Sequence, residues 1–198
     1  IKSTNDFPNG SIFDLRESLL KIKAAGSFLT ETELYQLGKT LVSAAEICDY
    51  FTEEKSAAYP LLKQIADSLL CFPEISRHID SILDKFGNIK DNASPELQQL
   101  RRKLLSVSSS VNGMMQRVIS RYKQNGMLDK DCTPSIRDGR LVIPVAPMHK
   151  RAVKGIVHDE SATGKTFFIE PEEIVEANNQ IRELEADIHK EIVRILIM

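Results

Sequence analysis

Apolar residues recur at alternating spacings of three and four over two long stretches of the chain. The first starts at Ser94-Pro95, a serine suited to cap a helix and a proline suited to its first position. It carries Leu97, Leu100, Leu104, Val107, Val111, Met114, Val118 and Tyr122, a heptad seam. The pattern predicts a helix to about Leu128, roughly 50 Å long at ~1.5 Å per residue. Gly113 interrupts it at a cost of about 1 kcal/mol against alanine and marks an expected close crossing. The second stretch starts at Pro171, with Glu172 and Glu173 where a helix dipole favours acids. Its seam is Ile174, Ala177, Ile181, Leu184, Ile188 and Ile195; Glu191 breaks it, and Ile192 beside it is placed to compensate. Two such helices predict an antiparallel coiled-coil arm.

Upstream the pattern is helical but shorter. Residues 1–10 read as a lead-in with a Pro8-Asn9-Gly10 turn. Ser11 and Asp14 are expected to start a helix bearing Ile12, Leu15, Leu19 and Ile22, which Gly26 ends. Thr30-Glu31-Thr32-Glu33 is a capping box, opening a helix expected to bury Leu34, Leu37, Leu41, Ala44, Ala45 and Ile47. Further helices are expected over 60–70 and 73–86, before the loop GNIKDNAS. Residues 11–86 therefore read as an all-α bundle segment.

The periodicity switches from helical to two-fold only between Thr133 and Pro171. Asp138-Gly139 is a hairpin turn signal between Pro134–Arg137 and the run RLVIPV. Pro144 cannot donate to a ladder, which predicts an edge or a bulge there. Gly155-Ile-Val-His and Thr166-Phe-Phe-Ile-Glu read as a third and a fourth strand, with SATG as their turn.

Charge changes this picture more than composition does. Forty-two per cent hydrophobic and 27% charged residues are ordinary for a globular chain, and a net charge of −2 exerts no global pull on nucleic acid. The distribution is uneven. From Leu97 to Leu128 there are Arg101, Arg102, Lys103, Arg117, Arg121 and Lys123 and no acid, whereas acids dominate from Glu170 onward. A basic helix beside an acidic one suits pairing better than it suits a nucleic-acid face. A second cluster lies within the β stretch, where Arg137, Arg140, Lys150, Arg151 and Lys154 face the single acid Asp138, with His149 among them. Such a patch binds phosphate backbones without reading sequence, unless it is a solvated loop.

Several chemistries find no support. Gly164-Lys165-Thr166 imitates the end of a phosphate-binding loop, but Asp159 stands where the first glycine belongs and a strand follows instead of a helix. His158, Asp159 and Glu160 with His149 resemble a metal set, but neighbours on a strand point to opposite faces. His78 reads as a lone surface or core-edge histidine. No Ser/His/Asp or Cys/His arrangement has a supporting signature. The three cysteines, Cys48, Cys71 and Cys132, lack ligand-like spacing and read as reduced thiols of a cytosolic protein. No apolar run approaches a membrane span, and no signal peptide is visible. The start at Ile1 and the end within EIVRILIM suggest a piece of a longer protein.

The run DGRLVIPV, then GIVHDESATGKTFFIEPEEIVEANNQIRELE, together with DNASPELQQLRRKL, closely resembles the second branch of the bacterial MutS family. The resemblance covers about residues 12–198. It implies the core, lever and truncated clamp region of a larger bacterial, cytoplasmic protein. Members of that branch continue into a dimerising domain that binds ATP and Mg, and many end in a nuclease domain. Neither is present, so ATPase activity maps onto no residue here. The family is associated with branched or recombining DNA, with suppression of homologous recombination and with splitting of stalled ribosomes.

The expected fold is mainly α: a helical core segment (1–92), a lever helix (93–130), a small β clamp (131–170) and a second lever helix (171–198). The fragment is expected to be non-catalytic and to hold no cofactor. Its expected contacts with branched DNA or ribosomal RNA are Arg137, Arg140, His149, Lys150, Arg151, Lys154 and Lys165. The alternative is a protein-interaction and dimerisation arm without nucleic-acid contact.

Overall fold

The computed structural model describes residues 7–197; the first six residues of the lead-in, and Met198, lie outside the described residues. About 57% of the chain is helical and one four-stranded antiparallel sheet is present, so the mainly α class holds. The chain divides into two compact units, one of residues up to 98 with those from 191 on, the other of Gln99–Lys190.

The first unit contains α1 (Arg16–Lys21), α2 (Glu31–Tyr50), α3 (Glu53–Ala58), α4 (Pro60–Ala66) and α5 (Pro73–Ile82). The capping box forms as expected: the Glu33 amide donates to Thr30 Oγ1 at 3.3 Å and the Thr30 amide donates to the Glu33 carboxylate at 2.8 Å. α1 starts later than expected. The Asp14 carboxylate accepts from the Arg16 amide at 3.2 Å, a local turn that keeps the preceding residues out of the helix. Ile12, meant for its buried face, is 67% exposed. α4 and α5 are shorter than the patterns suggest. Ser68 Oγ donates to the Ile65 carbonyl at 2.6 Å and closes α4. Leu83 turns extended and bridges Ile89, while the Asp84 carboxylate takes the Phe86 and Asn88 amides at 2.8 and 2.9 Å. α3 has no counterpart in the sequence reading. The apolar face expected on α2 is only half-buried; Ser43 is the helix's one fully buried residue.

α6 (Pro95–Gln124) begins where the cap predicts, with the Leu97 amide donating to Ser94 Oγ at 3.0 Å. It stops before Leu128 because Gly126, at φ +69°, lets the Met127 amide return to the Tyr122 carbonyl at 2.9 Å. Gly113 marks no crossing: it lies on the solvent side, where an added Cβ would meet nothing within 4 Å. α7 (Val175–Ile197) follows a 3-10 turn, Glu172–Ile174. Glu191 does not interrupt its seam. It is buried in place, accepting from Ser94 Oγ at 2.5 Å and Arg194 Nη2 at 2.6 Å, which pull its pKa down to about 2. A buried carboxylate is tolerated when its lone pairs are filled this way.

In the second unit the sheet runs β1 (Ser135–Arg137), β2 (Arg140–Val145), β4 (Phe167–Pro171), β3 (Gly155–Glu160) in spatial order. Asp138 and Gly139 both take positive φ, 48° and 72°, the two-residue turn their sequence demands. β2 lies inside the sheet, which corrects the edge expected from Pro144. The expectation survives locally, because β1 ends at the Ser135–Val142 pair. Beyond it Pro144 faces Cys132, whose Sγ donates weakly to the Pro144 carbonyl at 3.9 Å, and no ladder amide is missed. The core joins sheet and helices: Met115, Val118, Ile119 and Tyr122 of α6 pack with Ile143, Val145 and Ile169 of the sheet, Val153 and Ile174.

Candidate nucleic-acid interface

The sheet is held to the start of α7 by a buried polar cluster around Glu170. Its carboxylate accepts from Arg140 Nη1 at 2.9 Å and Asn178 Nδ2 at 2.7 Å, and lies 2.5 Å from His158 Nε2. Arg140 Nη2 also donates to Asn179 Oδ1 at 2.7 Å. The Asn178 amide group works as a surrogate strand: Nδ2 donates to the Leu141 carbonyl at 3.2 Å and Oδ1 accepts the Leu141 amide at 3.4 Å. A bulge between Val157 and Asp159 turns His158 onto this cluster. Burial alone would raise the Glu170 pKa, but hydrogen bonds from Asn178, His158 and Arg140 outweigh it and hold the carboxyl below its ordinary value.

Arg140, one of the expected nucleic-acid contacts, has its guanidinium half-buried and bonded to Glu170 and Asn179. Arg137 is partly engaged: Nε lies 3.2 Å from the Asp159 carboxylate and the guanidinium stacks 4.1 Å from the Phe168 ring. Of the metal set considered from sequence, His158 is engaged by Glu170 and Asp159 by Arg137. His149 ends a 3-10 turn, Pro147–His149, half-buried, with its carbonyl accepting the Ala152 and Val153 amides.

Lys150, Arg151, Lys154 and Lys165 are exposed, and none forms an ion pair among the described residues. They do not form one patch. The Val145–Phe167 pair brings the Pro147–Lys150 turn and the turn carrying Lys165 to one end of the sheet. Lys150 Nζ lies 3.8 Å from the Phe167 ring centre there. Lys154 precedes Gly155, which pairs with Pro171 at the opposite end. The Lys154 carbonyl accepts the Glu172 amide and its charge helps lower Glu173. Lys165 shares a shallow recess with Asp129, Asp131 and Cys132. On α6, Arg121 pairs with Glu173 of the turn before α7, the basic-to-acidic match the charge pattern suggested. The Glu170 cluster was not foreseen; its one signal was a charged residue in the apolar run FFIEP.

No family model matches the chain. Three relatives are proteins named endonuclease MutS2. The one from Pelotomaculum thermopropionicum is 38% identical over 183 residues, 92% of this chain and 23% of the relative. That from Halalkalibacterium halodurans is 35% identical over 96% of this chain and 24% of its own length. The Listeria welshimeri protein is 33% identical over 99% of this chain and 25% of its own. The chain is thus similar, over nearly its whole length, to about a quarter of the length of the endonuclease MutS2 proteins it matches.

Proposed function

We propose that the chain is the non-catalytic core, lever and clamp region of a larger MutS-like ATPase, with residues 1–92 as core, 93–130 and 171–198 as lever and 131–170 as clamp. The whole protein binds ATP and Mg in another domain, acts as a homodimer, and carries a nuclease activity in keeping with its relatives' name. The lever passes the ATP-driven rearrangement to the sheet, and the Glu170 cluster couples α7 to β2 and β4. The sheet contacts branched DNA or ribosomal RNA. The observation that carries this reading is the set of exposed cations without ion pairs, Lys150 and Lys165 at one sheet end, Lys154 at the other, and Arg151 in the connection between Lys150 and Lys154. These four are drawn from the longer set expected from sequence; Arg137 and Arg140 have internal partners, and His149 is half-buried in its turn.

Phosphate contacts of this kind make affinity fall with salt. Replacing Lys150, Arg151 and Lys154 together with Glu is expected to abolish binding to a four-way DNA junction or an rRNA fragment, in a gel-shift titration, with helical content unchanged. Undiminished binding by that variant defeats the proposal.

A second reading, a protein-interaction arm, has its own support. Leu61, Ile65 and Leu70 of the first unit are 76%, 64% and 74% exposed. Apolar exposure of this size on one segment suits a protein contact.

A further inference from the structure

Cys48 and Cys71 are 23 positions apart in sequence, and the fold brings their sulfurs to 3.2 Å. Cys48 sits half-buried in the last two turns of α2; Cys71 is exposed in the segment between α4 and α5. Cys71 donates to Cys48 Sγ, and Cys48 in turn reaches the Ala66 carbonyl at 3.9 Å. Spacing alone gave no hint of this pair. A metal reading fails on ligand count. Two sulfurs make half a tetrahedral zinc site, and the described residues hold no group of three or more potential ligands.

We propose that Cys48 and Cys71 form a reversible dithiol–disulfide site, oxidised by a peroxide and restored by a dithiol reductant. Exposed Cys71 meets the oxidant first. Its thiolate attacks one peroxide oxygen, the O–O bond breaks, and Cys71 becomes a sulfenic acid as one water leaves. The Cys48 sulfur then attacks the Cys71 sulfur, the S–O bond breaks, and the displaced hydroxide takes up the Cys48 proton as a second water. Two thiols and one hydrogen peroxide thus give one disulfide and two waters. The thiol contact with Cys71, together with burial, pushes the Cys48 pKa up, which disfavours its thiolate and leaves first attack to exposed Cys71; the 3.2 Å contact then places Cys48 to resolve. The remaining thiol, Cys132, belongs to the other unit, is half-buried, and takes no part.

The bond would close a loop holding α3, α4 and exposed Leu61, Ile65 and Leu70, and tie it to α2. Closing a loop of this length constrains the unfolded chain and raises the melting temperature, by roughly 15 °C for a unit of this size.

The test treats the reduced 198-residue chain with one equivalent of hydrogen peroxide. Free thiols should fall from three to one, and a non-reducing peptide map should show a Cys48–Cys71 link that dithiothreitol removes. Cys132→Ser should leave the link intact. Cys48→Ser should trap Cys71 as a sulfenic acid that reacts with dimedone. If a serine variant fails to fold, the wild-type peptide map still decides. A thiol count that stays at three, a link involving Cys132, or sulfinic acid at Cys71 with Cys48 still reduced overturns the proposal.

Discussion

The two units bury their apolar residues to very different degrees. In the sheet-bearing unit Met115, Ile143, Val145, Ile169 and Ile174 are at most 1% exposed and share one core. In the helical unit Leu61, Ile65, Leu70 and Phe86 are at least 64% exposed, although all four fall within the helices expected from sequence. A sheet face and a helix stripe pressed together remove each other's apolar surface from water. Short helices such as α3 and α4, of six and seven residues, leave theirs open. An amphipathic pattern therefore states that a face is apolar, and not that it is covered.

The contrast can be broken most sharply by cutting into the sheet core. Ile169→Ala removes a buried side chain between α6 and the sheet and should cost about 4 kcal/mol in urea unfolding. Glu170→Ala comes next: it leaves Arg140 and His158 facing an empty position and should cost about 3 kcal/mol. Thr30→Ala in the helical unit removes a cap and should cost about 1 kcal/mol. Leu61→Ser should change stability by no more than about 0.5 kcal/mol, since its side chain is already in water. A loss near 2 kcal/mol at Leu61 would mean that the face is covered and that the contrast fails.

Acid should weaken both units, through different carboxylates. Glu170 in one, and Glu33 and Glu191 at about 2 in the other, have folded pKa values below their unfolded ones. Their stabilisation is therefore complete above about pH 4.5 and is lost in acid as they protonate, for Glu33 and Glu191 as the pH falls toward 2. Thermal melts from pH 6 to pH 3 should show a falling midpoint, and Glu170→Gln should flatten the part of that slope due to the sheet unit.

What could be read in advance followed the range of the interaction. The Thr30–Glu33 box, the Ser94–Leu97 cap and the Asp138-Gly139 turn connect groups at most three residues apart, so their partners were visible on the page. Pro144 was half legible: its missing donor was certain, but where β1 would stop was not. Among the candidate contacts, residue type identified the cations, and position decided which of them remain available. Arg140 and Lys150 look equivalent as letters, yet one lies against Glu170 and the other over the half-buried ring of Phe167.

By itself the sequence determined where α2, α4, α5 and α6 start, the hairpin and the mainly α class, because local hydrogen bonding and periodicity need no distant partner. Only the tertiary structure decided that Glu191 meets Ser94 from 97 positions away, that Glu170 is enclosed by Arg140, His158 and Asn178, and that Cys48 faces Cys71. The physical reason is common to all three. A buried charge or a reactive sulfur is defined by what stands within about 3 Å of it, and that neighbour is chosen by the packing of whole elements.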